Sequence, residues 1–318
     1  MSYVSQSLRL LPEMQRVLRE LISVQANPGQ INSRNSYFTM RQLYGISGGY
    51  LFTLLNKCVS LRSVSKRKFR GGLKKLPAQD PNVLRLITEM NCYSADNPGE
   101  IGKISDFLHV NAGRIEICEE DIFSNKQIVE LVTQDIWVNE ARSVIGTDPL
   151  AIGVSGWWSK ATDKDQGTLS KAAQLWHRDL DRVRDIKLFF YATDVDAGNG
   201  PFEYVRDSHL PSLRAITLND GRFDDSWVKS RYPQGATSMV GKAGDVFMVD
   251  TQGVHRGRPV ETGLRCLLQL YFSCSTFGAE FQYQPRIRLD KGWPSYPVWE
   301  AAIKREPKVW TSLFGRML

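Results

Sequence analysis

The chain has 318 residues, of which 42% are hydrophobic and 24% charged, and it carries a formal net charge of +7. This is an ordinary globular composition, long enough for one large domain or two modest ones. The five cysteines are scattered and lack CxxC spacing, which excludes a disulfide framework and a zinc knuckle, and no stretch reaches the roughly 18 apolar residues that a membrane helix needs. We therefore expect a reduced, cytoplasmic protein without a transmembrane segment.

The positive charge is concentrated in one segment. Residues 62–75 carry seven basic side chains and no acidic one, so the rest of the chain is neutral. Such a segment suits an anionic partner, such as a phosphorylated or acyl-carrier substrate, nucleic acid or a membrane headgroup, although charge runs are more often solvated loops. We expect a small-molecule substrate and no nucleic-acid partner, and the pattern does not indicate an oligomeric state.

The first part of the chain has a helical pattern. Apolar residues between positions 8 and 22 recur at helical spacing, which predicts an amphipathic helix. We expect residues 1–123 to form a helical N-terminal region, with irregular stretches, packed on the core. Helical spacing returns between Ile128 and Ala141, which predicts one helix that begins after Ser124 and ends near Gly146.

After Pro149 the pattern changes to short strands. Six segments are rich in β-forming residues and are bounded by turn residues: 150–158, 186–195, 201–205, 236–240, 245–249 and 264–272. Strands at short intervals, without long helices between them, favour a sandwich or barrel over a parallel α/β sheet. We place this β core at 124–278 with a partly helical insertion at 210–235. A C-terminal capping segment, 279–318, is predicted to contain a helix interrupted at Pro307.

One motif, His177-Arg178-Asp179, precedes the second of these predicted strands. The same three residues form the catalytic loop of protein kinases, which also need an asparagine five positions after the aspartate and a later Asp-Phe-Gly. Position 184 is an arginine, and no Asp-Phe-Gly follows. The kinase interpretation therefore fails.

The spacing of His177 and Asp179 suits a metal site instead. In extended backbone, side chains two residues apart point to the same side, and two histidines with one carboxylate hold iron in non-haem oxygenases. The candidates for the second histidine are His109, His209 and His255. We favour His255 because it follows an apolar strand and a glycine turn, whereas His209 closes a strand and turn, and His109 precedes the strand-rich region.

A fourth candidate residue, Arg265, lies ten positions after His255. Alternation along 264–272 places Arg265 with Gln269 and Tyr271 on one face of the strand. An arginine that points into a strand-lined interior needs an anion, and a co-substrate carboxylate would accept its planar fork. Lys187 and Tyr191 share a face of the predicted strand 186–195 and are further candidates for lining this interior.

Two segments, 175–209 and 244–272, resemble the phytanoyl-CoA dioxygenase-like family of Fe(II)/2-oxoglutarate-dependent oxygenases. The resemblance rests on the His-x-Asp motif, on the strand and turn from Asn199 to His209, and on the pairing of His255 with Arg265. It covers roughly residues 124–275. One departure is that Val205-Arg206-Asp207 stands where the family often has Pro-Gly before Ser-His.

This resemblance implies a mainly β core with flanking helices, folded as a double-stranded β-helix, or jelly roll. It further implies that His177, Asp179 and His255 hold Fe(II), that Arg265 holds the distal carboxylate of 2-oxoglutarate, and that dioxygen is the third reactant. Halogenases of this type replace the carboxylate ligand by a small residue, so Asp179 favours hydroxylation.

The expected activity is therefore hydroxylation of an unactivated C–H bond of a small molecule, with release of succinate and CO2. Anionic, CoA-linked, carrier-linked and phosphate-linked substrates are all compatible with the sequence. Two alternatives stay open: a non-catalytic jelly-roll protein that binds an anionic partner, and a cupin-like metal enzyme that needs no 2-oxoglutarate. Arg265 speaks against the second alternative.

Overall fold

The computed structural model describes residues 69–162, 173–180, 184–213, 221–274 and 287–314, and in addition residues 12, 15, 19, 41, 43–45, 47–51, 165, 167, 169, 182 and 216. Most of the predicted helix at 8–22 lies outside the described residues, and its three described positions are helical and exposed. Residues 62–68 of the basic segment and 214–215 and 217–220 of the predicted insertion also lie outside them. Among the helices that are described, none is long and apolar enough to cross a membrane.

The described residues contain mainly antiparallel β structure. In chain order the strands are β1 (Leu73–Leu76), β2 (Cys92–Ser94), β3 (Asn97–Gly102), β4 (Arg114–Ile117), β5 (Leu150–Lys160), β6 (Trp176–His177), β7 (Asp185–Tyr191), β8 (Phe202–Tyr204), β9 (Arg222–Phe223), β10 (Thr237–Met239), β11 (Val246–Val249), β12 (His255–Gly257) and β13 (Leu264–Ser273). They form an eight-stranded sheet in the order β1-β11-β7-β13-β5-β4-β2-β3 and a five-stranded sheet in the order β10-β8-β12-β6-β9.

The chain alternates between the two sheets from β5 onward. Strands β5, β7, β11 and β13 belong to the large sheet, and the strands between them, β6, β8, β9, β10 and β12, belong to the small sheet. Long antiparallel pairings of β13 with β5 and with β7 hold the centre of the large sheet. This arrangement is a double-stranded β-helix, as the sequence predicts.

Helices cover the outer face of the large sheet. They are α1 (Pro81–Thr88), α2 (Glu119–Ser124), α3 (Lys126–Val132), α4 (Asp135–Ile145), α5 (Asp225–Arg231), α6 (Tyr296–Arg305) and α7 (Pro307–Phe314), with a 3-10 turn at Ile104–Phe107. The division of the last helix at Pro307 is confirmed. Apart from α5, which follows β9, these helices bury their apolar residues in one cluster with the outward residues of the large sheet, among them Cys266, Leu268 and Leu270 of β13.

The opposite face of β13 points into the space between the sheets. Leu267 packs there with Phe189 of β7 and with Tyr204 of the small sheet. The predicted alternation along β13 is confirmed, since successive side chains of a strand point to opposite faces. This face also carries Arg265, Gln269 and Tyr271, so the interior is apolar in one part and polar in another.

Two predictions about the N-terminal half are wrong. Residues 73–117 supply four strands of the large sheet, and within this range only Pro81–Thr88 and a 3-10 turn are helical. These strands have three to six residues, the exposed β3 contains Pro98 and Gly99, and only the four residues of β4 alternate between polar and apolar. The single helix predicted between Ser124 and Gly146 is two helices, because Gln134 has an extended backbone that separates α3 from α4.

Candidate metal centre

Two short strands of the small sheet bring two histidines together. Strand β12 pairs with β6 so that His255 lies directly opposite His177. The two imidazole ring centroids are 4.3 Å apart, and both residues are buried. The two histidines are therefore neighbours in the sheet although 77 positions separate them in the chain.

Each of these histidines is held by the backbone two residues before it. The distance from His177 Nδ1 to the carbonyl oxygen of Leu175 is 2.7 Å, and that from His255 Nδ1 to the carbonyl oxygen of Gly253 is 2.9 Å. Because a carbonyl oxygen can only accept, Nδ1 carries the hydrogen in both rings. The lone pair of each Nε2 is therefore available to a metal ion.

Asp179 completes the group. Its Oδ1 lies 3.6 Å from Nε2 of His177, and its Oδ2 lies 3.6 Å from Nε2 of His255. The backbone N–H of Asp179 donates to the carbonyl of Thr251 at 2.8 Å, which ties the His-x-Asp segment to the loop before His255. One donor atom from each of the three residues lies within 4.8 Å of the others, and this is the one such group among the described residues.

The electrostatics of the group suit metal binding. Burial and the neighbouring His255 lower the pKa of His177 to about 3, so the imidazole is neutral at physiological pH. Burial alone would raise the pKa of Asp179, but the positive charge of Lys187, together with the neighbouring His255 and His177, holds that pKa well below its ordinary value. Two imidazole nitrogens and one carboxylate are the donor set of the 2-His-1-carboxylate iron site.

Arg265 lies on the inner face of β13 and is 4% exposed. Its Nη2 donates to Oγ of Ser159 at 2.9 Å, and its Nε and Nη1 are buried with no hydrogen-bond partner. Burial lowers the pKa of Arg265, which means that the protein interior disfavours the charged guanidinium. Two orphaned N–H groups on a buried cation are the expected counterpart of a carboxylate, which would accept from both.

The backbone makes room beside this guanidinium. A Cβ atom on Gly257 of β12 would lie 3.1 Å from Nη2 of Arg265, closer than most such contacts. Glycine at this position therefore allows the small sheet to approach Arg265. Neither Gly257 nor Ser159 is marked by a sequence motif, but register assigns Ser159 to Arg265 once β5 and β13 are paired.

Two other residues border the group of His177, Asp179 and His255. The amine of Lys187, on β7, lies 2.6 Å from Oδ2 of Asp179. In the sequence, Lys187 stands out because it is a charged residue within an otherwise mostly apolar predicted strand. The ring of Phe202 stacks on His255 at a centroid distance of 5.3 Å, and no sequence pattern distinguishes Phe202 from an ordinary core residue.

The remaining histidines lie outside the group. His109 is exposed, and His209 lies beside the hydroxyl of Tyr204 with an Nδ1–oxygen distance of 3.4 Å. Arg178, between the two ligand candidates in sequence, points away from them. Its guanidinium is fully buried and donates to four groups: Tyr44 Oη, Ser208 O, Gln252 O and Tyr232 Oη.

Several solved structures are similar to this chain. One is the epimerase SnoN in complex with Fe3+, alpha-ketoglutarate and nogalamycin RO, with 13% identity over 72% of this chain and 90% of that one and a TM-score of 0.47. Another is HygX from Streptomyces hygroscopicus with nickel, 2-oxoglutarate and hygromycin B bound, with 16% identity, coverage of 66% and 86%, and a TM-score of 0.45. AviO1 from Streptomyces viridochromogenes Tue57 has 15% identity, coverage of 66% and 93%, and a TM-score of 0.40.

A search of curated proteins finds no significant sequence match. The sequence does match a protein family over residues 100–265, which is just over half of the chain and contains all four site candidates, His177, Asp179, His255 and Arg265. The family is phytanoyl-CoA dioxygenase (PhyH), and this chain belongs to it.

Proposed function

We propose that the protein is a hydroxylase of the Fe(II)/2-oxoglutarate-dependent class and that it acts on a small molecule. The observation that carries the proposal is the combination of three convergent metal donors with a buried arginine that has two unpartnered N–H groups. Folding alone does not explain the arginine, because buried N–H groups without a hydrogen-bond partner destabilise a protein. Together, the metal donors and the arginine match the two ligands that such an enzyme must hold.

In this proposal, His177, Asp179 and His255 hold the iron, and Arg265 binds the distal carboxylate of 2-oxoglutarate with Ser159 beside it. Iron with 2-oxoglutarate and dioxygen supplies the oxidising power that breaks an unactivated C–H bond. The role of the chain is to fix the tautomer of the imidazoles through their Nδ1 contacts, to orient the co-substrate and to exclude water. The low exposure of the ligands, 9% for the side chain of His177 and 4% for that of His255, supports the last of these roles.

We propose an anionic group on the substrate, because positive charges border the site. Lys187 contacts Asp179, and the guanidinium of Arg222 is close enough to contribute to the lowered pKa of His177. We further place the enzyme in the cytoplasm, since Cys92, Cys118 and Cys266 are buried free thiols, as expected in a reducing compartment.

The test is turnover of 2-oxoglutarate by the purified protein with Fe(II), ascorbate and dioxygen. We expect succinate to form only when both iron and 2-oxoglutarate are present, and His255→Ala to abolish it because one of three metal ligands is lost. His109→Ala is the matched control, since this histidine is exposed and outside the group. Succinate formation at the wild-type rate by His255→Ala would contradict the proposal.

A further inference from the structure

Lys187 is a buried cation in direct contact with a proposed metal ligand. Its side chain is 6% exposed, and its Nζ donates to Oδ2 of Asp179 at 2.6 Å. The ammonium also lies 4.8 Å from the ring centroid of Tyr271, which is its cross-strand neighbour on β13. Buried lysines are rare unless they are paired, so the position of this amine is specified by its partners.

The contact distinguishes the two oxygens of Asp179. Oδ1 faces Nε2 of His177 and Oδ2 faces Nε2 of His255, both at 3.6 Å, so geometry alone would let either oxygen reach a metal held between the rings. Of these two oxygens, Oδ2 is the one that accepts from Lys187. A charge-assisted hydrogen bond of this length engages that oxygen and leaves Oδ1 as the better donor to a metal.

The number of donors matters for the chemistry. Three protein donors on one face of an octahedron leave three positions, which a bidentate co-substrate and dioxygen fill. If both oxygens of Asp179 were bound, the protein would occupy a fourth position and one reactant would be excluded. We propose that Lys187 is a positioning residue that holds Asp179 through Oδ2, so that the carboxylate binds the metal through Oδ1 alone and a position stays open for co-substrate.

This inference rests on the proposed function, and it makes a prediction that a merely structural lysine would not. Removing the ammonium takes away a positive charge that repels a bare divalent cation, and it frees the second carboxylate oxygen for the metal. Metal affinity should therefore be retained or increased, while affinity for the dianionic 2-oxoglutarate should fall. A lysine needed only for packing would weaken both affinities together when it is replaced.

The experiment compares wild type with Lys187→Met by titrating Mn(II), followed by electron paramagnetic resonance, and then titrating 2-oxoglutarate into the Mn(II)-loaded protein by calorimetry. We expect unchanged or tighter Mn(II) binding and a Kd for 2-oxoglutarate that rises by about tenfold or more, the size typical for lost partners of metal ligands. Lys187→Arg, which keeps the charge and a donor, should restore most of the 2-oxoglutarate affinity.

Lys160→Met is the matched control. Lys160 is also a buried lysine, on β5, but its amine donates to the backbone carbonyls of Leu108 and Val110 at 2.7 and 2.5 Å. Its replacement should leave the 2-oxoglutarate affinity of the metal-loaded protein unchanged. The inference is overturned if Lys187→Met binds 2-oxoglutarate within about twofold of wild type, or if it loses Mn(II) and 2-oxoglutarate affinity in parallel.

A crystal structure of the wild-type protein with Ni(II) tests the same point without any variant. We expect Oδ1 of Asp179 on the nickel and Oδ2 on Lys187, and nickel bound by both oxygens would overturn the inference. The two proposals can fail separately. A wild-type protein that binds no Mn(II), or no 2-oxoglutarate once loaded, overturns both, whereas wild-type binding that Lys187→Met reproduces overturns only the role of Lys187.

Discussion

The two histidines of the site present the same nitrogen to the same point because each is fixed in the same way. In both, Nδ1 donates to the carbonyl two residues earlier, in Leu175 and in Gly253. This hydrogen bond at Nδ1 sets the tautomer and the ring orientation before any metal binds. The His-x-Asp spacing predicts that His177 and Asp179 share a side, but the carbonyl contacts depend on local backbone geometry that no spacing encodes.

We expect Arg265 to lower the stability of the metal-free protein, although the proposed function requires this residue. Its Nε and Nη1 are buried without partners, so Arg265→Met should raise the free energy of unfolding of the metal-free protein by about 1–3 kcal/mol, the usual penalty of such groups. The same variant should lose the stabilisation that 2-oxoglutarate gives to the metal-loaded protein. Chemical denaturation with and without ligand measures both effects.

Arg178→Met is the control for this prediction. Its guanidinium is equally buried but donates to four oxygens, so its removal leaves acceptors without a donor and should destabilise the protein. A loss of stability in Arg265→Met similar to that in Arg178→Met would show that the arginine is a structural residue.

His177 predicts how the metal-free protein responds to pH. Burial and His255 lower its pKa to about 3, whereas an unfolded histidine has a pKa near 6.5. Between these values the unfolded chain binds the proton and the folded chain does not, so stability falls as the pH falls. From pH 7 to pH 4.5 the loss from this residue should be on the order of 2 kcal/mol.

His177→Gln, which does not titrate, should show a flatter dependence in urea denaturation at the same two pH values with a metal chelator present. Asp179 also has a lowered pKa, so its contribution is present above the ordinary aspartate pKa and is lost at lower pH than this window. Equal slopes for His177→Gln and wild type would mean that His177 is already charged in the fold.

Among the secondary-structure elements, the site depends on two short strands that no run of β-forming residues marks. Six other strands from β5 to β13 are recognisable from β-forming residues between turns, and the structure confirms each of them. Strand β6 has two residues, and β12 consists of His255, Arg256 and Gly257, so neither contains such a run. The motif and the sequence context indicate His177 and His255 as ligand candidates. Only the fold shows the register that makes them opposite neighbours.

The turn between β11 and β12 should control the position of His255. A Cβ atom on Gly253 would lie 2.1 Å from the hydroxyl oxygen of Tyr204, which is too close for either group to stay in place. Gly253 also supplies the carbonyl that holds Nδ1 of His255. Gly253→Ala should therefore weaken Mn(II) binding by about tenfold or more, as expected when a contact that orients a ligand is lost.

Gly99→Ala is the matched control, because no atom lies within 4 Å of a Cβ at this exposed position in β3. Titration of Mn(II) into both variants makes the comparison. If Gly253→Ala binds Mn(II) as tightly as Gly99→Ala, the turn does not position His255 in the way described.

At the scale of the whole molecule, the site is assembled from distant parts of the chain by one large sheet and one small sheet. Arg178 links distant segments of the chain. Its guanidinium donates hydrogen bonds to the hydroxyls of Tyr44 and Tyr232 and to the carbonyl of Gln252. The sequence predicts the jelly roll and the four site candidates because a motif and a strand pattern agree. It does not predict β1–β4, because strands of three to six residues carry little apolar signal.

In the proposed function, His177, Asp179 and His255 bind iron while Arg265 orients 2-oxoglutarate on it. The most direct test is the visible absorption spectrum of the anaerobic protein after addition of Fe(II) and then of 2-oxoglutarate. We predict a metal-to-ligand charge-transfer band that requires both additions, is absent in His255→Ala, and needs much more 2-oxoglutarate in Arg265→Met. A wild-type protein without this band, or a band that persists unchanged in His255→Ala, would contradict the account.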